Sequence, residues 1–376
     1  GLTREKVRLA KEAGLRSAGV SIDGLRDVHD RLRGVAGSYD RALAALGHLR
    51  EFDIPFSVNT QITALAVPQL RELMHVVAAT GAKNWQVQLT VAMGNAADHP
   101  EILLQPYQLL ELMPLLASLH EEALDRGMLL QPGNNIGYFG PYEHRWRVTT
   151  DDRHWEGCAA GHTGLGIEAD GTIKGCPSLA TGPYAGGNVR TMTIEEIWNT
   201  AAQLRFARDR GTDELWGFCG SCYYADVCRG GCTWMAHSLF DRAGNNPYCH
   251  YRVLELAKAG LRERVEQVVA APGESFDNGR FDLILEPLGG GEGERIAPPP
   301  ALVRERPRRA ENRIPQRLPL CRACEQFVRA EETRCPHCGC DLAEAQAAYD
   351  AVLPEILDAT AALERLLADA RRTSAG

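Results

Sequence analysis

The chain has 376 residues, 44% of them hydrophobic and 24% charged, with a formal net charge of −8 at pH 7. These are the proportions of an ordinary globular protein with room for two or three domains, and the acidic balance argues against partners that need a basic face, such as nucleic acid or an anionic membrane surface. No apolar run is expected to be long enough to cross a bilayer, and the opening residues are charged where a signal peptide would be apolar.

In chain order, residues 3–13 read as a helix with Thr3 as N-cap and Glu5 in its first turn, ended by Gly14. Residues 17–23 read as a strand, 39–52 as a helix, 56–63 as a strand, 68–80 as a helix and 85–91 as a strand. This alternation implies βαβ crossovers and a parallel sheet. Three parallel strands alone leave unpaired edges, so partner strands are expected to precede Gly1. Residues 103–126 are helical, with interruptions expected at Pro106 and Pro114. The predicted organisation is a parallel α/β unit over 1–127, an irregular connection over 128–157, a cysteine-rich domain over 158–269 closed by an amphipathic helix at 251–269, and a flexible linker over 270–318. A small Cys-rich knot follows over 319–342, and a terminal helix over 343–371. The linker assignment rests on Gly289-Gly-Gly291, Pro298-Pro-Pro300 and the basic run Arg304–Arg313.

None of the twelve cysteines lies in residues 1–157; seven lie between 158 and 249, and five between 321 and 340. A disulfide framework is one explanation, but seven is odd, and such clusters in a reducing compartment bind metal. Cys158 is separated from Cys176 by a stretch that includes Ile167–Ile173, where Asp170-Gly171 predicts a tight hairpin turn bringing the two cysteines together. Then come Cys219-x2-Cys222-x5-Cys228-x3-Cys232 and, after sixteen intervening residues, Cys249. A two-residue gap lets successive thiolates wrap one metal centre. Gly217, Gly220, Gly230 and Gly231 leave backbone N–H groups free to point at sulfur. Zinc and iron–sulfur clusters share these soft ligands, so composition alone leaves both open. Cys321-x2-Cys324-x10-Cys335-x2-Cys338 is a zinc-ribbon spacing whose four thiolates satisfy a tetrahedral ion. Cys340 is then spare, with Cys340 or His337 as substitute ligands. Trp216, Phe218, Tyr223, Tyr224 and Trp234 are expected to pack around the metal sites, with a substrate groove as the alternative; His237 and His250 read as neighbours or surface residues rather than ligands.

The string from Cys158 to Cys249 resembles the SPASM domain of radical SAM enzymes. Ser21-Ile-Asp23-Gly24, His29-Asp30, Arg33-Gly34 and Gly37-Ser38-Tyr39 resemble the segment after the fourth strand of their partial (β/α)6 barrel. The resemblance implies an α/β fold: the second half of that barrel, then a SPASM domain and a zinc-ribbon knot. It implies two auxiliary [4Fe–4S] clusters, one on Cys219, Cys222, Cys228 and Cys249, the other on Cys158, Cys176 and Cys232, whose fourth position is open or filled by His154 or Asp152. Ser21, Asp23, Asn59, Gln61, Gln86 and Gln88 stand at strand ends, where parallel α/β barrels place their chemistry, and some of them would face S-adenosylmethionine. The family's Cys-x3-Cys-x2-Cys and Gly-Gly-Glu segments do not occur in residues 1–127. The expectation is therefore an N-terminally truncated chain, inactive alone. Its parent would be a cytoplasmic oxidoreductase that modifies a ribosomally made peptide or protein through a 5′-deoxyadenosyl radical, fed by a reductase or a flavodoxin- or ferredoxin-type donor. The alternatives are a sulfatase-maturase-like or cofactor-biosynthetic enzyme, or a non-catalytic iron–sulfur and zinc-binding adaptor or electron carrier.

Overall fold

Thr3 starts the first helix, α1 (Arg4–Glu12), by accepting the Lys6 N–H on its hydroxyl at 3.4 Å. The computed structural model describes residues 1–147, 154–273, 277–297 and 317–354. After α1 the chain alternates: β1 (Ala18–Ser21), helices α2 (Arg26–Arg33) and α3 (Ser38–Glu51), β2 (Phe56–Ile62), α4 (Leu70–Ala79), β3 (Asn84–Leu89), a helix Leu109–Asp125 and β4 (Leu129–Pro132). The four strands form one sheet in the order β1-β2-β3-β4, every pair parallel.

The sheet sorts its residues by strict alternation. Phe56, Val58, Thr60 and Ile62 of β2 and Trp85, Val87 and Leu89 of β3 are buried, while the residues between them are half-exposed. Buried Thr60 accepts the Trp85 indole N–H at 2.9 Å, which removes the cost of enclosing both polar groups.

Several expectations need correction. Residues 128–157 are not an irregular connection throughout, because β4 extends the sheet; it is an edge strand, where Pro132 costs no ladder hydrogen bond. Pro106 does not interrupt a helix but opens a 3-10 turn leading into Leu109–Asp125, and Pro114 is accommodated inside that helix. The segment Pro100–Asp125 is long and apolar enough to cross a membrane by length and composition. In the fold, however, Leu109, Leu112, Met113, Leu116 and Leu119 of this segment are buried in the core, each contributing roughly 1.5–3 kcal/mol of transfer free energy.

The largest correction concerns residues 251–297. A helix runs only over His250–Lys258; Gly260 (φ +74°) ends it, and the chain continues as the first strand of an antiparallel meander. Three short strands precede it in the cysteine-rich region: β5 (Gly166–Ile167), β6 (Thr172–Lys174) and β7 (Ala185–Asn188), all antiparallel. The meander consists of β8 (Leu261–Val269), β9 (Arg280–Pro287) and β10 (Glu294–Ile296), with Gly289-Gly-Gly291 lying in the connection between the last two. Part of the expected linker is therefore ordered strand; Pro298–Pro300 and Arg304–Arg313 lie outside the described residues. The meander is fixed to the first sheet's side of the molecule by Gln105, whose side chain accepts the Val265 N–H (2.8 Å) and donates to the Val265 carbonyl (3.2 Å), imitating a strand partner. The terminal helix is described over 342–354, and the rest of it lies outside.

Candidate metal centres

Cysteines from distant parts of the chain meet in two groups. The hairpin expected at Ile167–Ile173 forms, with Ile167 opposite Ile173, Gly171 at φ +91° and the Asp170 carboxylate accepting the Thr172 N–H at 2.9 Å. Its second strand ends at Lys174 and hands Cys176 to the site. Gly175 gives close passage there, since a Cβ would stand 3.1 Å from the Phe206 ring. Cys232 sits at the N-cap of the helix Thr233–Phe240. Burial pushes the Cys232 thiol up to about 12, and the proximity of Cys158 and Cys176 adds to the shift. Burial, with Cys176 nearby, likewise raises Cys158.

The second group comprises Cys219, Cys222, Cys228 and Cys249. Burial and then the Cys249, Cys219 and Cys222 thiols hold Cys228 well above the usual range, and burial with Cys222 and Cys219 does the same to Cys249. Burial also lifts Cys222 to about 12 against the Tyr224 N–H that its sulfur accepts at 3.4 Å. All four cysteines line one cavity, together with Tyr138, Tyr224 and Asn246. Four thiols whose ionisation is opposed by burial and by one another become thiolate ligands only when a positively charged core neutralises them. A further observation fits such a core: the buried Asn246 Nδ2, a donor on the cavity wall, has no hydrogen-bond partner. Gly231 leaves it room, since a Cβ there would stand 3.1 Å from that nitrogen.

The five C-terminal cysteines are spaced differently. The sulfurs of Cys321, Cys324, Cys335 and Cys338 all lie within 4.8 Å of one another, close to the separation of about 3.8 Å that tetrahedral coordination of one zinc ion requires. Among the described residues, no other set of three or more Cys, His, Asp or Glu ligand atoms is gathered so tightly. Two turns make the grip: Glu325 (φ +58°) donates its N–H to Cys321 O and Gly339 (φ +78°) to Cys335 O, each at 2.8 Å. Burial works to raise the Cys338 thiol, but hydrogen bonds from Cys340 and the neighbouring thiols outweigh it and bring it to about 7. Cys340 is not remote: its sulfur is 3.5 Å from that of Cys321, nearer than Cys338 at 3.9 Å. His337 faces away from the thiols, with Nε2 at 3.0 Å from the Tyr224 hydroxyl and 3.1 Å from Phe327 O.

The knot is docked on the second cysteine group. Tyr224, on the wall of that group's cavity, donates to the carbonyl of fully buried Phe327 and stacks on Phe139 at 4.1 Å. Tyr223 points outward to the knot, donating to Glu332 at 2.7 Å and accepting the Arg329 N–H, while Arg329 pairs with Asp226.

The other expected site residues divide. Ser21, Asn59 and Gln86 stand in register across three strands, as do Gln61 and Gln88 across two, so these five share the polar face of the sheet. Asp23 is instead buried and committed: its carboxylate accepts the Gln61 N–H at 2.9 Å and pairs with Arg33. His154 does not offer a free ring nitrogen as a fourth ligand, because Nε2 accepts the Leu318 N–H at 3.0 Å and Nδ1 faces Trp155 O at 2.8 Å; Asp152 lies outside the described residues. Phe218 and Tyr224 line the cavity, whereas Trp216 packs edge-on against Phe240 and Trp234 reaches Met93 in the parallel unit. His250 is no surface residue: it is buried and stacked on Tyr142. The polar groups that sequence reasoning missed are Asn246, Arg252 and Glu263; the run Asn245-Asn-Pro-Tyr just before Cys249 was the available signal, since two adjacent amides seldom enter a core without a task.

Residues 158–223 match the model of the SPASM family, described as an iron–sulfur cluster-binding domain. The chain is 30% identical over 262 residues to an AdoMet-dependent heme synthase of Methanosarcina barkeri, the match covering 67% of this chain and 72% of that protein. It is 25% identical to a PqqA peptide cyclase of Rhizobium meliloti, over 72% of this chain and 68% of the relative. Among solved structures, native anSMEcpe with bound AdoMet and the Cp18Cys peptide superposes with a TM-score of 0.51 at 17% identity, covering 68% of this chain and 73% of that one. At that identity the likeness is one of fold.

Proposed function

The chain belongs to the radical SAM/SPASM family, and from that premise we propose that it is part of an oxidoreductase that matures a ribosomally synthesised peptide or protein by way of a 5′-deoxyadenosyl radical. Cys219, Cys222, Cys228 and Cys249 would hold one auxiliary [4Fe–4S] cluster, and Cys158, Cys176 and Cys232 three corners of a second. Cys321, Cys324, Cys335 and Cys338 would hold a structural zinc ion. The observation that carries the reading is the single cavity lined by Cys219, Cys222, Cys228 and Cys249, on whose wall the Asn246 Nδ2 has no partner.

When bound, such clusters take up or release single electrons at potentials set by burial and by hydrogen bonds to sulfur. The chain's own residues do the rest. Tyr138, Phe139 and Tyr224 exclude water from the cavity, and the Tyr224 N–H donates to Cys222 sulfur. The row Ser21, Asn59, Gln61, Gln86 and Gln88 presents amides and a hydroxyl to S-adenosylmethionine. A precursor peptide is the substrate, a flavodoxin- or ferredoxin-type protein or a reductase the electron donor, and the reducing cytoplasm the compartment that keeps twelve cysteines as thiols. Protein purified anaerobically should be brown and carry about eight irons, as two four-iron clusters require, beside one zinc. Colourless protein holding zinc alone overturns the assignment.

A second reading has its own support: the 30% identity to a heme synthase favours a tetrapyrrole substrate. Titration with an iron porphyrin bearing carboxylate side chains separates the two. A saturable shift of its Soret band supports the tetrapyrrole reading; no shift, with binding of a precursor peptide, supports the first.

A further inference from the structure

Arg252 has no solvent exposure, yet it is fully charged and fully occupied. It stands three residues after Cys249, one turn into the helix His250–Lys258. Its Nε and Nη2 each donate to an oxygen of Glu263 at 2.6 Å, a bidentate pair in which the carboxylate is also buried. The remaining nitrogen, Nη1, donates to Asn245 Oδ1 at 2.6 Å and to Asn246 O at 3.1 Å, and lies 4.0 Å from Cys219 Sγ. The guanidinium also lies over the Phe218 ring at 5.3 Å.

A buried ion pair contributes little net stability compared with apolar residues of the same volume, so packing does not account for this arrangement. Its orientation does. The cation is turned toward the wall of the cysteine cavity, and the anion is kept on the far side by β8. Uptake of one electron by a cluster adds one negative charge, and a desolvated cation a few ångströms from a ligand sulfur favours that uptake far more than the same charge in water would.

We propose that Arg252, held in place by Glu263, sets the reduction potential of the cluster on Cys219, Cys222, Cys228 and Cys249. Arg252 is a positioning residue for charge and not a ligand, and Glu263 moderates it by partial neutralisation. The meander β8-β9-β10 thereby acquires a purpose, since it is β8 that carries the carboxylate to Arg252. The inference rests on the cluster assignment proposed above.

The test is an anaerobic redox titration of the full chain, followed by electron paramagnetic resonance, with iron content measured on each sample. Dithionite supplies the single electron. The signal of the cluster on Cys158, Cys176 and Cys232 serves as an internal reference. Glu263→Gln leaves the cation unneutralised and should raise the midpoint. Arg252→Gln leaves the anion and should lower it. Each change is expected to alter the reduced-to-oxidised ratio at fixed solution potential about tenfold, equivalent to about 59 mV for one electron. Opposite shifts at undiminished iron content support the inference, whereas a merely structural pair would move both variants together or move neither. Unchanged midpoints with the iron in place overturn it. Should Arg252→Gln fail to fold, Glu263→Gln alone decides: an upward shift supports the inference and no shift overturns it. An unsubstituted chain that takes up no iron at these four cysteines sinks the cluster assignment itself, and the inference with it, and iron content alone reveals that outcome.

Discussion

The two cysteine-rich regions are built on different rulers. In the C-terminal knot, four sulfurs drawn from 18 residues of sequence crowd within 4.8 Å of one another. In the central domain, four cysteines drawn from residues 219–249 line one cavity and are not gathered within that distance. The knot contains two Cys-x2-Cys pairs and the central quartet one, so the motif occurs in both and does not by itself make the difference. What differs is what surrounds them. In the knot only ten residues separate the two pairs, and backbone bridges at Leu320 with Phe327 and Arg334 with Asp341 close each Cys-x2-Cys turn. In the central domain, glycines and a long excursion to Cys249 hold the thiols apart. The two regions therefore differ in sulfur spacing and not in ligand identity: among the described residues, the knot's four sulfurs are the set that lies within 4.8 Å of one another.

The comparison can be broken most directly by elemental analysis. Cys228→Ala should remove one whole cluster, about four irons of eight, and leave zinc untouched; loss of both metals together would show that the two regions are one folding unit. Cys335→Ser should do the reverse, abolishing zinc and unfolding 319–342 while iron stays, because a knot this small depends on the metal for roughly 10–16 kcal/mol of apparent binding free energy. Phe327→Ala probes the contact between the regions. The ring is fully buried, so its loss should cost about 3–5 kcal/mol, seen as faster amide exchange in 317–342 with zinc retained. Cys340→Ser is the smallest change and the sharpest question. With Cys338 as the fourth ligand, zinc stoichiometry should be unaltered and stability should move by less than about 0.5 kcal/mol. Loss of zinc would instead make Cys340, 3.5 Å from Cys321, the true ligand.

Much of the fold and site was legible in the sequence where a local rule and a global requirement agreed. The helices and strands of the first 90 residues follow apolar periodicity, and the hairpin that delivers Cys176 follows Asp170-Gly171. The sorting of seven cysteines into a trio and a quartet came from resemblance, and the thiols that influence one another in the structure are the same sets. The failures are tertiary. Residues 261–269 carry four charged residues and enough helix formers to extend the preceding helix, but Glu263 belongs in the interior once Arg252 is there to receive it, and only alternation then buries Glu263 and Val265 together. β4 is four residues long and ends in proline, too short to carry a period. Asp23 had the right type and place for a ligand-facing group, yet the Gln61 N–H and Arg33 claim its carboxylate. Hydrogen bonds between residues about 40 positions apart leave no trace in local sequence.

The phenol of Tyr224 belongs to both regions at once: its ring is a wall of the quartet's cavity, and its hydroxyl ties down the Phe327 carbonyl about a hundred residues further along the chain. One hydroxyl therefore couples the two regions mechanically: whatever shifts the Phe327 carbonyl is felt by a ring that faces the quartet of cysteines.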